Sequence, residues 1–205
     1  HTHEFGFTGN NKFFETNPYG GLHLYEDKYK LKSNWFDDTI FAIVKVFNTA
    51  KKTYLLSAFN GLFVHDGKRF HSYLKERKFK EKKLKHITSN DKGQLIIASE
   101  FGTVYIAEDS ENFKIVKTIP KKEIIGNSIF FLEAHKDYIL IGTEKGINIY
   151  RDGIVRLIDQ EQGLKDCEIT SSQIYKNELW LGTKKGVYKL NLIQLTAYKN
   201  TVSEI

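Results

Sequence analysis

Trp35, Asp37 and Asp38 are the residues in this 205-residue sequence whose types and spacing most suggest a ligand. An indole face can stack on a sugar ring, and neighbouring carboxylates accept hydrogen bonds from its hydroxyls. The same residues also have a structural reading, in which Trp35 packs between adjacent elements and the aspartates cap a turn. Carboxylate pairs carry out acid and base chemistry at glycosidic bonds when they flank one bond. Adjacent residues such as Asp37 and Asp38 rarely point at one scissile bond, so the pattern favours holding a ligand over cleaving one.

Other groups with reactive chemistry are scattered. Gly-Thr-Lys-Lys-Gly at 182–186 looks at first like a phosphate loop. Such a loop needs Gly-x-x-x-x-Gly-Lys-Ser/Thr with a helix behind it. Here an alternating strand, VYKLNL, follows Gly186, so no helix end would face a phosphate. His1 and His3 sit at the terminus, and His23, His65, His71, His86 and His135 are dispersed with no zinc-ligand spacing. Asp91-Lys92-Gly93 and Asp109-Ser110-Glu111-Asn112 are turn chemistry and lack the calcium-loop pattern. Cys167 is the single cysteine, cannot form an internal disulfide, and reads as a small buried or half-buried side chain. No cofactor, metal site or catalytic residue is expected.

Net charge is +6, from 31 Lys and Arg against 25 Asp and Glu. Lys75, Arg77, Lys78, Lys80, Lys82, Lys83 and Lys85 cluster in KERKFKEKKLK at 75–85. Glu76 and Glu81 interrupt the run and few aromatics interleave it, so it reads as a solvated loop and not as a nucleic-acid surface. No stretch approaches the ~18 apolar residues of a membrane span, and the first residues, HTHEFGFTGNN, do not form a signal peptide. The sequence contains no Met, which predicts that it begins inside a longer reading frame. The missing signal then says little about location.

The elements that must position these residues repeat. ELWLGTKKGVYKL (178–190) aligns with YILIGTEKGINIY (138–150), LIIASEFGTVYIA (95–107), YLLSAFNGLFVHD (54–66) and, more weakly, FFETNPYGGLHLY (13–25). The second glycines of these units, Gly21, Gly61, Gly102, Gly146 and Gly186, are spaced by 40, 41, 44 and 40 residues. With 14% aromatic residues and 2 prolines, the composition suits strands. A period of about 40 residues carrying short strands predicts an all-β propeller of about five blades, each of four antiparallel strands. Approximate blade limits are 1–33, 34–75, 76–119, 120–160 and 161–205. With strands lettered A (innermost) to D (outermost), the glycines mark tight B–C hairpins where positive φ carries no steric cost. The D-to-A crossovers emerge on the same edge as these hairpins. They are SNWFDDT (33–39), 75–85, IPKKEIIGN (119–127) and DQEQGLKDC (159–167).

GLKDCEITSSQIYKNELWLGTKKGVYKL (163–190) resembles the two-component-regulator propeller repeat, through Gly163, Leu164, Leu179, Trp180, Leu181, Gly182, Thr183 and Gly186. Val187 replaces that family's usual Leu. The preceding unit matches at Ile141, Gly142, Thr143 and Gly146 without the Trp, and two earlier units have Ser-Ala and Ala-Ser where Gly-Thr is expected. The resemblance implies a periplasmic sensor ectodomain of a Bacteroidetes-type signalling protein, anchored in a membrane and coupled to a histidine kinase or transcriptional output. It also implies an oligosaccharide or other small ligand, and rings of about seven blades, so the five units form either a closed small ring or an arc of a larger one. Two other functions compete with sensing. One is a scaffold that binds a protein partner or itself. The other, ranked last because no repeated inward carboxylate is evident, is a propeller glycosidase or lyase.

Overall fold

The computed structural model describes residues 5–8, 12–16, 21–26, 30–36, 42–49, 52–65, 70–73, 79–81, 83–110, 113–165, 168–195 and 202–204. They form five four-stranded antiparallel sheets of the propeller-blade type, each with its strands in chain order. Sheet 1 contains β1 (Phe5–Thr8), β2 (Lys12–Thr16), β3 (Gly21–Glu26) and β4 (Lys30–Phe36). Sheet 2 contains β5 (Ile43–Asn48), β6 (Thr53–Ser57), β7 (Gly61–His65) and β8 (Phe70–Ser72). Sheet 3 contains β9 (Leu84–Ser89), β10 (Gln94–Ser99), β11 (Val104–Glu108) and β12 (Lys114–Ile119). Sheet 4 contains β13 (Ile129–His135), β14 (Tyr138–Thr143), β15 (Gly146–Arg151) and β16 (Ile154–Ile158). Sheet 5 contains β17 (Ile169–Tyr175), β18 (Glu178–Thr183), β19 (Gly186–Asn191) and β20 (Val202–Glu204).

Strand ends depart in two places from what the repeat spacing suggests. In sheet 5, Leu192–Leu195 is a 3-10 turn and the strand that pairs with β19 is β20. A 3-10 turn there is anchored by Leu192, whose buried side chain and N–H bond to the Asn177 carbonyl (2.8 Å) hold the chain against the A–B hairpin. Likewise, β4 continues through Phe36 into the SNWFDDT crossover segment, because its ladder with β3 persists to Gly21.

The chain divides into two compact units, His1–Ile87 and Thr88–Ile205. In the first, Leu24, Ile43, Val46, Leu55 and Phe63 share one buried cluster, drawing sheets 1 and 2 together. In the second, two clusters do the same for consecutive sheets. Ile96, Ala98, Val104 and Ile119 of sheet 3 join Leu132, Ile139, Ile141 and Tyr150 of sheet 4. Phe131, Tyr138, Leu140, Ile147 and Ile149 of sheet 4 join Leu179, Leu181, Tyr188 and Leu190 of sheet 5. Alternate side chains of a strand point to opposite faces, so β14 sends Ile139 and Ile141 one way and Leu140 the other, and is buried throughout. An inner-strand bulge recurs at the same place in three sheets, between Ile43 and Lys45, Ile129 and Phe131, and Ile169 and Ser171.

Local chemistry closes the hairpins. Asp152 (φ 51°) and Gly153 (φ 90°) both take positive φ, as a two-residue hairpin whose twist matches its strands requires. At the B–C connections, Gly61, Gly102, Gly146 and Gly186 have φ of 79°, 92°, 131° and 152°. Gly21 opens β3 in the same place in sheet 1.

Candidate site at the hairpin and crossover edge

A B–C hairpin and the D-to-A crossover leave a sheet at the same edge, which is where the sequence places its ligand candidates. In the first unit, Trp35 is the next-to-last residue of β4 and pairs with Leu22, one residue from the hairpin glycine Gly21. That register puts Trp35 at the hairpin edge of sheet 1. Asp37 and Asp38 follow it and lie outside the described residues. The structure therefore places the backbone of Trp35 at this edge, and the rest of the cluster lies outside the described residues.

The chain re-enters the described region at Ala42, in the left-handed conformation (φ 51°), where its carbonyl accepts the Ala58 N–H at 2.9 Å. That bond ties the end of the crossover to the sheet 2 hairpin. Ser57 fixes the hairpin tip, its hydroxyl oxygen accepting from the N–H groups of Phe59 (3.2 Å) and Asn60 (3.0 Å). Phe59 is 52% exposed on this braced tip. Sequence reasoning missed Phe59, and it missed Phe101, equally exposed on the sheet 3 hairpin. The available signal was the aromatic residue immediately before or two before the repeat glycine, where sheets 4 and 5 carry Glu144-Lys145 and Lys184-Lys185.

A hydroxyl recurs at the end of each described B strand from sheet 2 onward. Ser57, Ser99, Thr143 and Thr183 all accept a hairpin N–H: Ser99 takes that of Thr103 (3.1 Å), Thr143 that of Lys145 (3.2 Å) and Thr183 that of Lys185 (3.2 Å). Thr183 also donates across the turn to the carbonyl of Gly186. The departures from Gly-Thr in the second and third units therefore keep the hydroxyl that does the mechanical work.

In the second unit the crossover of 120–128 is clamped by the sheet 4 hairpin. Buried Asn148 accepts the Ile125 N–H (2.7 Å) and donates to the Ile125 carbonyl (2.9 Å). Thr143 donates to the same carbonyl at 2.8 Å. The Glu144 carboxylate accepts from the N–H groups of Asn127 (2.7 Å) and Ser128 (3.1 Å). Partial burial opposes the charge on Glu144, but the hydrogen bonds from Ser128, its own N–H and Asn127 outweigh it and hold the carboxyl below its usual range. In sheet 5 the equivalent position carries Lys184, which reaches Glu168 at 2.7 Å. One latch thus appears twice, with its charge reversed.

The next crossover is ordered by its own cap. Asp159 accepts from the Glu161 N–H while Gln162 accepts from the Asp159 N–H, and Gly163 ends the 3-10 turn Gln160–Gln162 in the left-handed conformation. Leu164 then enters the core between sheets 4 and 5. Gly163 and Leu164 of the repeat motif are thereby a turn and its plug.

The remaining candidates separate. Within the basic run, Phe79 is buried and Lys80 and Lys85 are exposed, while Lys75, Arg77, Lys78 and Lys82 lie outside the described residues. Cys167 lies outside them as well. His65 is buried, and burial, reinforced by Lys136 and opposed by Asp91, lowers the pKa of His135. Among the described residues no group of three or more His, Cys, Asp or Glu could hold a metal ion. Also among these residues, no helix is long and apolar enough to cross a membrane. The edge as described offers braced hairpin tips, exposed aromatics and lysines, which suit contact with a ligand or partner.

No protein-family model matches the sequence, and no curated protein matches it either. Solved structures do. The chain is similar to the extracellular domain of the putative hybrid two component system BT3049 from B. thetaiotaomicron, with a TM-score of 0.77 and 16% identity over 98% of this chain. A second likeness is to the extracellular domain of the putative hybrid two component system BT4673 from B. thetaiotaomicron, with a TM-score of 0.69 and 14% identity over 88% of this chain. The chain spans 28% and 26% of the lengths of those two proteins. A third is to virginiamycin B lyase from Staphylococcus aureus, with a TM-score of 0.72 and 10% identity over 99% of this chain and 69% of that one. At these identities the likeness establishes the fold.

Proposed function

We propose that this chain is a ligand-sensing segment of a propeller ectodomain, working outside the cytoplasm in the periplasm as part of a two-component signalling protein. The observation that carries this reading is the likeness to two hybrid two-component ectodomains across nearly the whole chain, each much longer than the chain itself. The proposal includes an arc of a larger ring and a binding edge formed by the B–C hairpins and crossovers. Trp35, Asp37 and Asp38 are its proposed ligand contacts, with an oligosaccharide as the ligand class. Binding, and not catalysis, is favoured because the two ectodomains are parts of signalling systems and adjacent carboxylates such as Asp37 and Asp38 rarely point at one scissile bond. The lyase similarity shows that this fold also hosts an enzyme, so activity is argued from the site and not from the fold.

The test is thermal stabilisation of the chain by a panel of neutral and acidic oligosaccharides. One class should raise the melting temperature in wild type and in Lys122→Ala, and fail to do so in Trp35→Ala and Asp37→Asn/Asp38→Asn. If no saccharide shifts the transition, or if the variants respond like wild type, this ligand assignment falls. Capture of a protein partner with no saccharide response would favour the scaffold function, for which exposed Phe59 and Phe101 are the motivating observation.

A further inference from the structure

Asn60 and Gly61 form the one Asn-Gly step in the sequence, and every other asparagine precedes a residue that carries a Cβ. The step lies at the tip of the sheet 2 hairpin. Gly61 opens β7 with φ 79°, and Asn60 is half-buried beside exposed Phe59. The Cγ of an asparagine amide is an electrophile within reach of the next residue's backbone nitrogen, and attack closes a five-membered ring. A side chain on that next residue obstructs the approach. Glycine removes the obstruction and lets the backbone turn into the attacking geometry.

The hairpin supplies both a restraint and a weak point. The Ser57 hydroxyl accepts from the N–H groups of Phe59 (3.2 Å) and Asn60 (3.0 Å), and the Ala42 carbonyl holds the Ala58 N–H (2.9 Å). These bonds brace the chain as far as the Asn60 nitrogen. Gly61 lies beyond them, and its ladder partner is Ser57, the pair next to the turn. Local opening costs less there than in the strand interior.

We propose that Asn60 is a site of spontaneous covalent modification in the folded chain, deamidating through a succinimide with Gly61. Solvent base takes the Gly61 N–H proton, the nitrogen bonds to Asn60 Cγ, and Nδ2 leaves as ammonia after taking a proton from water. Water then opens the ring. Breaking the new N–Cγ bond restores the main chain with aspartate at position 60. Breaking the bond from that nitrogen to the Asn60 carbonyl carbon gives isoaspartate, whose main chain runs through Cβ and Cγ. The net change consumes one water, releases one ammonia and involves no oxidation. Either product puts a carboxylate beside Phe59, and isoaspartate lengthens the main chain where the register of β6 and β7 is set. The modification is independent of any ligand, so loss of saccharide binding would leave it standing.

The test incubates the intact folded chain in mildly alkaline buffer made with heavy-oxygen water, followed by peptide mapping with mass spectrometry. The peptide containing Asn60 should gain heavy oxygen several-fold faster than any other asparagine peptide, and an isoaspartyl methyltransferase should methylate it. Asn60→Gln would require a six-membered ring and should abolish the gain while leaving Gly61 in place. Ser57→Ala, with its fold checked by circular dichroism, releases the tip and should accelerate the gain several-fold. Equal rates at Asn60 and the other asparagines, or a gain seen in urea but not in the folded chain, overturns the proposal. A gain that persists in Asn60→Gln also overturns it, because the reacting residue would then lie elsewhere in the peptide.

Discussion

Asn148 and Ile125 are joined by two hydrogen bonds, the Asn148 side chain accepting from the Ile125 N–H and donating to its carbonyl. Twenty-three residues separate them, and the contact pins a crossover to the third strand of the sheet it leads into. Asn148 is fully buried, whereas Ile125 is 46% exposed and its carbonyl also accepts from Thr143. Asn148→Ala should therefore destabilise the second unit by about 1–2 kcal/mol, the net worth of the two hydrogen bonds it removes. Asn148→Asp keeps the acceptor but loses the donor to the Ile125 carbonyl, and should also destabilise. Urea titration followed by far-ultraviolet circular dichroism measures both, and a loss under about 0.5 kcal/mol for the alanine variant would contradict the clamp.

Glu144 makes the second clamp on that crossover and gives it a pH dependence. Its carboxyl is held below the usual range, so its contribution is present above the unfolded-state pKa and is lost as pH falls through the lower folded-state value. Glu144→Gln should be less stable than wild type at neutral pH, and the gap should narrow as the solution is acidified past the ordinary glutamate range. His135 acts in the same direction at higher pH. Its pKa is lowered, so the neutral form is favoured in the fold and stability falls as pH drops from the ordinary histidine value toward the lowered one. Glu144→Gln should leave that upper step intact. A gap that stays constant down to strongly acid pH would remove the carboxylate from the latch.

Lys184 and Glu168 form the corresponding latch in sheet 5, but both side chains are mostly exposed. An exposed pair of this kind is worth about 0–1 kcal/mol and is screened by salt. Lys184→Met should change stability by less than Glu144→Gln does at neutral pH, and added salt should erase what difference there is. A larger effect for Lys184→Met would mean that the charge reversal preserves more than a surface contact.

Much of the fold was legible because strands and turns leave short-range marks. The 40-residue spacing, the alternation in GINIY and the Asp152-Gly153 turn each follow from local backbone and side-chain geometry. The end of β4 was not legible, because whether 33–36 continue a strand depends on the ladder offered by β3. Nor was β20, since 192–195 carry a strand-compatible sequence but turn where Leu192 finds the core. The site was less visible than the scaffold. A hydroxyl at Ser57 or Ser99 looked like a departure from Gly-Thr until its hydrogen bond showed which half of the motif mattered. Exposed Phe59 and Phe101 carry no periodic signal, because a hairpin tip belongs to neither face of its sheet.

The repeat glycines look interchangeable in the sequence, and the structure separates them. Gly146 and Gly186 occupy the same hairpin position with φ of 131° and 152°. A side chain at Gly186 would meet nothing within 4 Å among the described residues, so substitution there strains the backbone. A Cβ at Gly146 would run into the Ile158 carbonyl oxygen, a backbone atom that cannot swing aside. Gly186→Ala should cost about 1–2 kcal/mol, the usual penalty for an L-residue at positive φ. Gly146→Ala should cost clearly more, since the outer strand must shift as well. Gly186→Val should exceed Gly186→Ala, because a β-branched side chain tolerates positive φ less well. Melting temperatures of the three variants, measured side by side, should fall in the order Gly186→Ala, Gly186→Val, Gly146→Ala if the carbonyl clash dominates. An unchanged melting temperature in Gly186→Val would instead remove the conformational reason for glycine at that hairpin.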